Sequence, residues 1–125
     1  MGRDFRKIEA YVLALRLVTD IYELTKLFPK GEMFGLISQI RRAAVSIPAN
    51  IAEGATRKTK KEYLQFLYTA KGSMAELECH LGISKNLGYL SNEQSQKIEE
   101  SRALVGSKLY RLTECVESEA NQKVP

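Results

Sequence analysis

The chain has 125 residues, of which 44% are apolar and 27% are charged, and its formal net charge is +4. This length fits one globular domain of ordinary composition, and no run approaches the ~18 apolar residues that a membrane span needs. The opening residues MGRDFRK have no apolar stretch behind them, so no secretory signal is predicted and we expect a cytoplasmic protein.

The first predicted helix covers about residues 5–28, with Asp4 as its N-cap and Pro29 as its stop. One apolar stripe is predicted to face the core, and it consists of Ile8, Tyr11, Leu15, Val18 and Tyr22. A second apolar line follows Leu13, Leu17, Leu24 and Leu27. Two lines exceed what a peripheral helix of a monomeric bundle needs. We therefore expect Leu13 and Leu17 to contact another subunit.

The second predicted helix covers about residues 33–56 and carries two stripes at helical spacing. Its apolar stripe consists of Met33, Ile37, Ile40, Ala44, Ile47 and Ile51. Its polar stripe, turned by roughly a third of a circle at about 100° per residue, consists of Gln39, Arg42, Ser46, Asn50, Glu53 and Arg57. A helix that faces water needs no ordered polar line, so this pattern predicts contact with another polar surface, in an assembly that has a polar groove or lumen.

Pro48 lies within the second helix. Its ring is expected to clash with the carbonyl of Ala44 and to remove one hydrogen bond, which predicts a kink. The alternative is a pair of shorter helices with a break near Ser46.

The last two helices are predicted at about residues 60–87 and 92–117. Thr59 with Glu62 and Ser91 with Gln94 form capping-box patterns that begin them, and Gly88 fits a stop after the third helix. The apolar stripe of the third helix consists of Tyr63, Leu67, Ala70, Met74, Leu77, Leu81 and Ser84, and that of the fourth of Ile98, Val105, Leu109, Leu112 and Val116. Short connections force antiparallel neighbours, so the sequence predicts a single-domain, all-α, up-down-up-down four-helix bundle.

The positive charge is concentrated in the first half of the chain. Residues 1–60 hold 11 Lys and Arg against 6 Asp and Glu, whereas residues 61–125 hold 8 against 9. The cations that stand out are Arg41, Arg42, Arg57, Lys58, Lys60 and Lys61. Such a group attracts partners that carry phosphates, although lysines that only solubilise a helix junction would give the same pattern.

Residues that could carry enzyme chemistry are scarce. His80 is the single histidine, so one chain cannot build a metal site from paired histidines, and Cys79 beside it points in a different direction on a helix. No glycine-rich phosphate loop and no nucleophile-elbow motif occurs. We therefore expect a non-enzymatic protein without metal or cofactor. Cys79 and Cys115 are expected to be buried thiols, with a disulfide between them as the alternative.

Two further residues in the helices suggest structural roles. Glu53 has Asn50 one turn behind it and Arg57 one turn ahead, which favours a structural network over acid–base catalysis. If this face is covered by another subunit, replacing Glu53 by Ala should cost more than the few tenths of a kcal/mol that an exposed pair contributes. Gly72 lies inside a helical pattern, which indicates a close helix crossing.

The run SQIRRAAVSIPANIAEG, residues 38–54, resembles the 23S rRNA intervening-sequence protein family, also called the four helix bundle proteins. The resemblance extends from Phe5 to about Leu112. The motif positions that this chain keeps are Arg41, Arg42, Ser46, Pro48, Asn50, Glu53 and Gly54. Members of that family form up-down bundles that assemble as homopentameric rings, and some are encoded within insertions in bacterial 23S rRNA genes, so the resemblance implies a homopentamer.

The accessory protein of diversity-generating retroelements is similar in architecture to this family, and its basic ring engages nucleic acid and a reverse transcriptase. The resemblance thus adds a link to nucleic acid, while the family has no firmly defined biochemical activity.

Three functional hypotheses follow. The first is a ring-forming protein that binds the backbone of structured RNA or DNA through Arg41, Arg42, Arg57, Lys58, Lys60 and Lys61. The second is an oligomeric scaffold whose polar face docks another protein. The third is an enzyme with composite sites, which requires Glu53, Asn50 and Arg57 of neighbouring subunits to converge.

Overall fold

The computed structural model describes residues 4–122. Four α-helices follow one another: α1 (Glu9–Thr25), α2 (Leu36–Ala55), α3 (Lys60–Asn86) and α4 (Asn92–Ala120). Two short 3₁₀ turns, Phe5–Lys7 and Lys30–Glu32, precede α1 and α2. Within the described range, the backbone of each helix lies close to that of the next, α1 also lies close to α4, and the backbones of the diagonal pairs stay apart. This cyclic order is that of an all-α, up-down-up-down four-helix bundle, as the sequence predicts.

The core-facing sides of α2 and α3 are those predicted. In α2 the buried apolar residues include Ile37, Ile40, Ala44, Ile47 and Ile51, whereas Met33 lies before the helix and is exposed. In α3 every member of the predicted stripe is buried, from Tyr63 to Ser84. In α4 the buried residues are Ile98, Val105, Leu109 and Val116, and Leu112 is half-buried against them.

The predicted core face of α1 is only partly right, because Ile8, Tyr11 and Val18 are half-buried against the core but the fully buried residues follow another line. The buried residues of this helix are Ala10, Ala14, Leu17, Ile21 and Thr25. Leu15 is 44% exposed and Tyr22 is 38% exposed, although both belong to the predicted stripe. Apolar side chains surround α1, so periodicity alone does not select one face, and the helix turns its small alanines toward the core, where they allow close packing.

This rotation also corrects one of the two predicted subunit contacts. Leu17 is 1% exposed, so its side chain packs inside the protomer and is not available to a second copy. Leu13 is half-buried and packs against the core, and its contact with another subunit stays a prediction.

The beginning and end of α1 differ from the prediction because the flanking residues form turns. The Asp4 side chain caps the short 3₁₀ turn by accepting a hydrogen bond from the Arg6 amide at 3.1 Å, and α1 itself begins only at Glu9. Thr25 ends α1, and its hydroxyl donates to the carbonyl of Ile21 at 2.8 Å. Residues 26–35 connect it to α2, which is a longer connection than predicted.

Helix α2 continues through Pro48 without interruption. The alternative of two shorter helices with a break near Ser46 is therefore wrong. The helix begins at Leu36, three residues later than predicted, because the 3₁₀ turn and Gly35 precede it.

Side-chain caps define the starts of α3 and α4. Thr59 Oγ1 accepts a hydrogen bond from the Glu62 amide at 3.1 Å, and Ser91 with Gln94 forms the full reciprocal capping box. Between the two helices, Gly88 adopts φ of +80°, a conformation that favours glycine. The capping and turn signals thus explain why these boundaries are close to those predicted.

Two smaller expectations are also corrected. Cys79 and Cys115 are exposed, not buried, and neither takes part in a disulfide. A Cβ added to Gly72 would meet nothing within 4 Å, so this glycine marks no close helix crossing.

Among residues 4–122, none of the helices combines the length and the apolar character that a membrane span requires.

Candidate nucleic-acid interface

The six predicted nucleic-acid-binding cations do not form one surface. Arg41 and Arg42 lie in the second turn of α2, whereas Arg57, Lys58, Lys60 and Lys61 surround its opposite end. At 1.5 Å per residue the two groups are separated by about 22 Å along the bundle. Each end of the bundle is therefore a separate candidate surface for a nucleic-acid partner.

The structure adds two cations to the second group. The 3₁₀ turn with Arg6 and Lys7 contacts α2. Because α1 and α2 are antiparallel, this turn lies at the end of the bundle where α2 stops and α3 begins. We call this surface the basic end, and it consists of Arg6, Lys7, Arg57, Lys58, Lys60 and Lys61.

Ion pairs hold three cations of the basic end in place. Arg57 Nη2 lies 2.8 Å from Glu53 Oε1, and its guanidinium sits 4.7 Å from the centre of the Phe66 ring. Lys60 Nζ lies 3.3 Å from Glu119 Oε1. Arg6 bonds Asp4 at 3.0 Å, and this hydrogen bond lowers the pKa of the Asp4 carboxyl.

Lys58 and Lys61 are the most available charges of the basic end. Both side chains are exposed, and within residues 4–122 neither makes an ion pair or hydrogen bond. They flank the N-terminus of α3, where unpaired amides and the helix dipole add partial positive charge. Free ammonium groups beside a helix N-terminus attract anions, so this corner is the strongest candidate for contact with phosphates.

The other predicted pair of cations has different surroundings. Arg41 Nε donates to Thr25 Oγ1 at 2.9 Å, and its guanidinium lies 4.4 Å from the centre of the Tyr22 ring. Arg41 thus ties α2 to the C-terminal end of α1. Arg42 beside it is exposed.

The polar stripe of α2 is only partly covered in the protomer. Gln39, Arg42 and Glu53 are exposed, and Ser46 and Asn50 are half-buried. The Glu53 and Arg57 side chains are 54% and 38% exposed, so their pair is not a buried network within one chain.

The centre of the stripe contacts α3 through hydroxyl and amide groups. Asn50 Nδ2 donates to the Ser46 carbonyl at 2.8 Å and to Ser46 Oγ at 2.9 Å. Ser73 of α3 donates to the same Oγ at 2.8 Å. Part of the polar line therefore bonds within the protomer, between α2 and α3.

Sequence reasoning missed Arg6, Lys7, Phe66 and Ser73 as members of these surfaces. The signal that could have found them is the up-down topology. It places the first turn of the chain beside residues 55–61 and sets the α3 positions 66 and 73 against the polar stripe.

The groups considered for catalysis show no assembled site. His80 Nε2 lies 3.4 Å from Glu76 Oε1 on the same helix. Within the described range, no group of three or more His, Cys, Asp or Glu side chains could hold a metal ion. Within one chain, Asn50 is hydrogen-bonded to Ser46 and Glu53 is ion-paired with Arg57.

Comparisons with known proteins give the family of this chain. No curated protein matches it. A solved structure from Bacteroides thetaiotaomicron, described as a protein with unknown function from the S23 ribosomal protein family, superimposes with a TM-score of 0.78 at 23% sequence identity. The match covers 84% of this chain and 95% of the other, which shows a shared fold. The model of the family described as 23S rRNA-intervening sequence protein matches residues 6–111. The chain therefore belongs to the 23S rRNA-intervening sequence protein family.

Proposed function

We propose that this protein is a non-enzymatic, cytoplasmic homo-oligomer that binds the backbone of RNA or DNA through its basic end. The observation that carries this proposal is that the turn with Arg6 and Lys7 contacts α2, at the end of the bundle where the four cations of the α2–α3 corner lie. The family description, which refers to 23S rRNA, supports a link to RNA. The resemblance to ring-forming bundles supports a homopentamer.

Binding of this kind is dominated by electrostatics. Each lysine or arginine that meets a phosphate releases counterions, so affinity falls steeply as salt rises. In a ring, the basic ends of all subunits lie at the same rim, and the charge of one protomer is repeated around the axis. A ring therefore strengthens a contact that six cations of one protomer make only weakly.

The aromatic residues near the basic end favour backbone binding over base recognition. Tyr63 is 3% exposed, and Phe66 is half-buried beneath the Arg57 guanidinium. Neither ring is available for stacking on an unpaired base, which is how single-stranded nucleic acid is commonly held. We therefore expect weak dependence on sequence and a preference for structured RNA or duplex over unpaired strands.

Charge reversal at the two most available lysines tests this function. We expect the double variant Lys58→Glu and Lys61→Glu to weaken binding of a structured RNA by about tenfold or more at low salt and to flatten the salt dependence. The matched control reverses Lys85 and Lys97, two exposed lysines at the other end of the bundle. The two double variants carry the same net charge, so they differ only in the positions at which the charge is reversed.

The readout is fluorescence anisotropy of a labelled RNA hairpin at two salt concentrations, with light scattering of each variant to show that its mass is unchanged. Equal loss of binding in both double variants would show a general charge effect. No binding by the wild-type protein at low salt would overturn the nucleic-acid proposal.

An oligomeric protein-interaction scaffold is the second candidate, and one observation favours it. Phe34 is 98% exposed at the start of α2, and Leu27 and Tyr110 are also largely exposed. Large exposed apolar side chains mark surfaces that contact other proteins. A pull-down from lysate treated with nuclease separates the candidates, because partners held through nucleic acid are lost and a directly bound protein remains.

A further inference from the structure

A groove between α3 and α4 combines an apolar floor with acidic edges. It has a volume of about 350 Å³, and its apolar lining includes Met74, Ala75, Gly106 and Leu109, with Tyr68 and Tyr110 at its sides. Glu78, Glu114 and Glu117 supply the charge, and Lys71 is the one cation of the lining. We call this surface the acidic groove.

The carboxylates of the acidic groove differ in how far they are neutralised. Glu117 accepts a 2.8 Å hydrogen bond from the Tyr68 hydroxyl, which raises the pKa of that phenol. Glu78 lies 3.1 Å from Arg102, whose side chain is mostly buried. Glu114 is exposed and makes no ion pair or hydrogen bond within residues 4–122. The groove therefore presents net negative charge, with Glu114 as its most available group.

A second surface, between α1 and α2, has the opposite charge. It is a shallow depression with no carboxylate, lined by Tyr22, Met33, Phe34, Ile37, Ser38, Arg41, Arg42 and Val45. Tyr22, Phe34 and Val45 expose apolar surface, and the exposed Arg42 lines the same depression. We call this surface the basic patch. The contacts that fix Arg41 on Tyr22 and Thr25 hold it in one orientation before any partner arrives.

We propose that the basic patch of one copy of this chain packs against the acidic groove of a second copy. This inference rests on the self-association within the proposed function and names the surfaces that meet. The two surfaces have opposite charge, and each exposes aromatic side chains, Tyr22 and Phe34 on the first and Tyr68 and Tyr110 beside the apolar floor of the second. Charge complementarity of this kind fixes partner and register, and the apolar centre is where an interface gains most of its affinity.

The positions of the two surfaces determine the kind of assembly. In the cyclic order of the helices, the α1–α2 pair and the α3–α4 pair lie on opposite sides of the bundle. Contact between two different surfaces is head-to-tail, and such contacts repeat until a ring closes or a filament grows. The α2–α3 face with its polar stripe then stays uncovered and forms one wall of the assembly, which accounts for an ordered polar line on an otherwise exposed face.

Charge reversal with rescue tests the pairing. Arg42→Glu and Glu114→Arg each place like charges together, and we expect each to raise the dissociation constant of the assembly by about tenfold or more. The double variant exchanges the two charges and should restore the wild-type mass by light scattering. Lys97→Glu is the control, because Lys97 is exposed on the α1–α4 side and belongs to neither surface.

The outcomes decide between this pairing and other modes of assembly. Single variants that keep the wild-type mass, or a double variant that stays dissociated, would overturn it. A wild-type protein that is a single protomer at all practical concentrations would overturn self-association as a whole. Neither result depends on the RNA measurement, since Lys58 and Lys61 lie outside both surfaces.

An apolar variant tests the same contact without changing charge. Phe34→Ser should dissociate the assembly with no loss of helix content, because a ring that is 98% exposed contributes almost nothing to the fold of the protomer. Leu27→Ser is the matched control, since Leu27 is 70% exposed and lies on the α1–α4 side. An unchanged mass of the Phe34 variant would contradict the proposed docking.

Discussion

Ser73 of α3 donates a 2.8 Å hydrogen bond to the hydroxyl oxygen of Ser46 on α2. The same oxygen accepts from the Asn50 side chain at 2.9 Å, so one hydroxyl joins two polar side chains at a half-buried helix contact. Polar groups removed from water are costly unless they are bonded. These three side chains satisfy one another, which allows a polar line to pass between helices near Pro48.

Removing the hydroxyl at the centre of this contact should cost more than removing one at its edge. We expect Ser46→Ala to lower the free energy of unfolding by about 1–3 kcal/mol, because Asn50 and Ser73 both lose an acceptor. Ser73→Ala should cost only about 1 kcal/mol. Ser107→Ala, at an exposed position of α4, is the control and should change little. Urea denaturation gives the free energy of unfolding of each variant. An equal loss in all three would contradict the prediction.

Gly54 lies at a close approach of α2 to α3. A Cβ at this position would come within 2.8 Å of Phe66 Cβ and 2.9 Å of Tyr63 Cδ1. We expect Gly54→Ala to destabilise the protein by about 1–3 kcal/mol through overpacking, although alanine is the better helix former. Gly72→Ala is the matched substitution in open space and should stabilise by up to about 1 kcal/mol. Opposite signs in thermal denaturation distinguish close packing from helix propensity, and a stabilising Gly54→Ala would contradict the prediction.

The sequence predicts α2, α3 and α4 well and the orientation of α1 poorly, for a physical reason. In α3 the apolar residues repeat on one line from Tyr63 to Ser84, so only one face can be buried. In α1 apolar side chains occur on several faces, and the contacts of neighbouring helices decide which face is buried. Leu17 and Leu15, two residues apart, therefore have opposite environments that periodicity cannot distinguish.

The candidate site shows the same limit. Lys58 and Lys61 can be read from the sequence because they are close to each other in the chain. Arg6 and Lys7 lie near them only because a turn that is distant in the chain packs against α2. Arg41 lies at the opposite end of the bundle, because it belongs to the second turn of α2. The fold is needed to bring together residues that are distant in the chain, whereas a cluster of residues that are close in the chain can be found from the sequence alone.

Glu53 and Arg57 form an ion pair that is open to water in the protomer. Exposed pairs at this spacing contribute about 0.3–0.5 kcal/mol. The proposed docking leaves this pair uncovered in the assembly as well, so in place of the larger effect expected from the sequence we predict that Glu53→Ala lowers the free energy of unfolding by only a few tenths of a kcal/mol and leaves the mass of the assembly unchanged. Light scattering and urea denaturation check both points. A dissociated variant would show that a second copy covers the α2–α3 face, in conflict with the proposed contact between the basic patch and the acidic groove.

Tyr89 makes stability depend on pH in the alkaline range. Its hydroxyl donates a 2.8 Å hydrogen bond to Glu32 Oε2, which joins the α3–α4 connection to the turn before α2. The bond to Glu32, helped by burial, raises the pKa of the phenol above its ordinary value of 10.0. In the unfolded chain the phenol loses its proton near pH 10, so between that value and the higher folded pKa the native state binds more protons.

The stabilisation from this hydrogen bond is therefore fully present below about pH 10, and it is lost as the pH rises through the pKa of Tyr89 in the folded protein. We expect Tyr89→Phe to be less stable than the wild type at about pH 8 and to approach it as the pH rises through the folded pKa of Tyr89, where the wild type loses the bond. Tyr110→Phe, an exposed phenol without a hydrogen bond within residues 4–122, is the control and should follow the wild-type curve. Urea denaturation across this pH range gives the difference directly. The absence of a gap at about pH 8 would mean that the ring packing against Phe28, which phenylalanine keeps, carries the contribution of Tyr89. A gap that stays constant with pH would contradict the role given to the phenol proton.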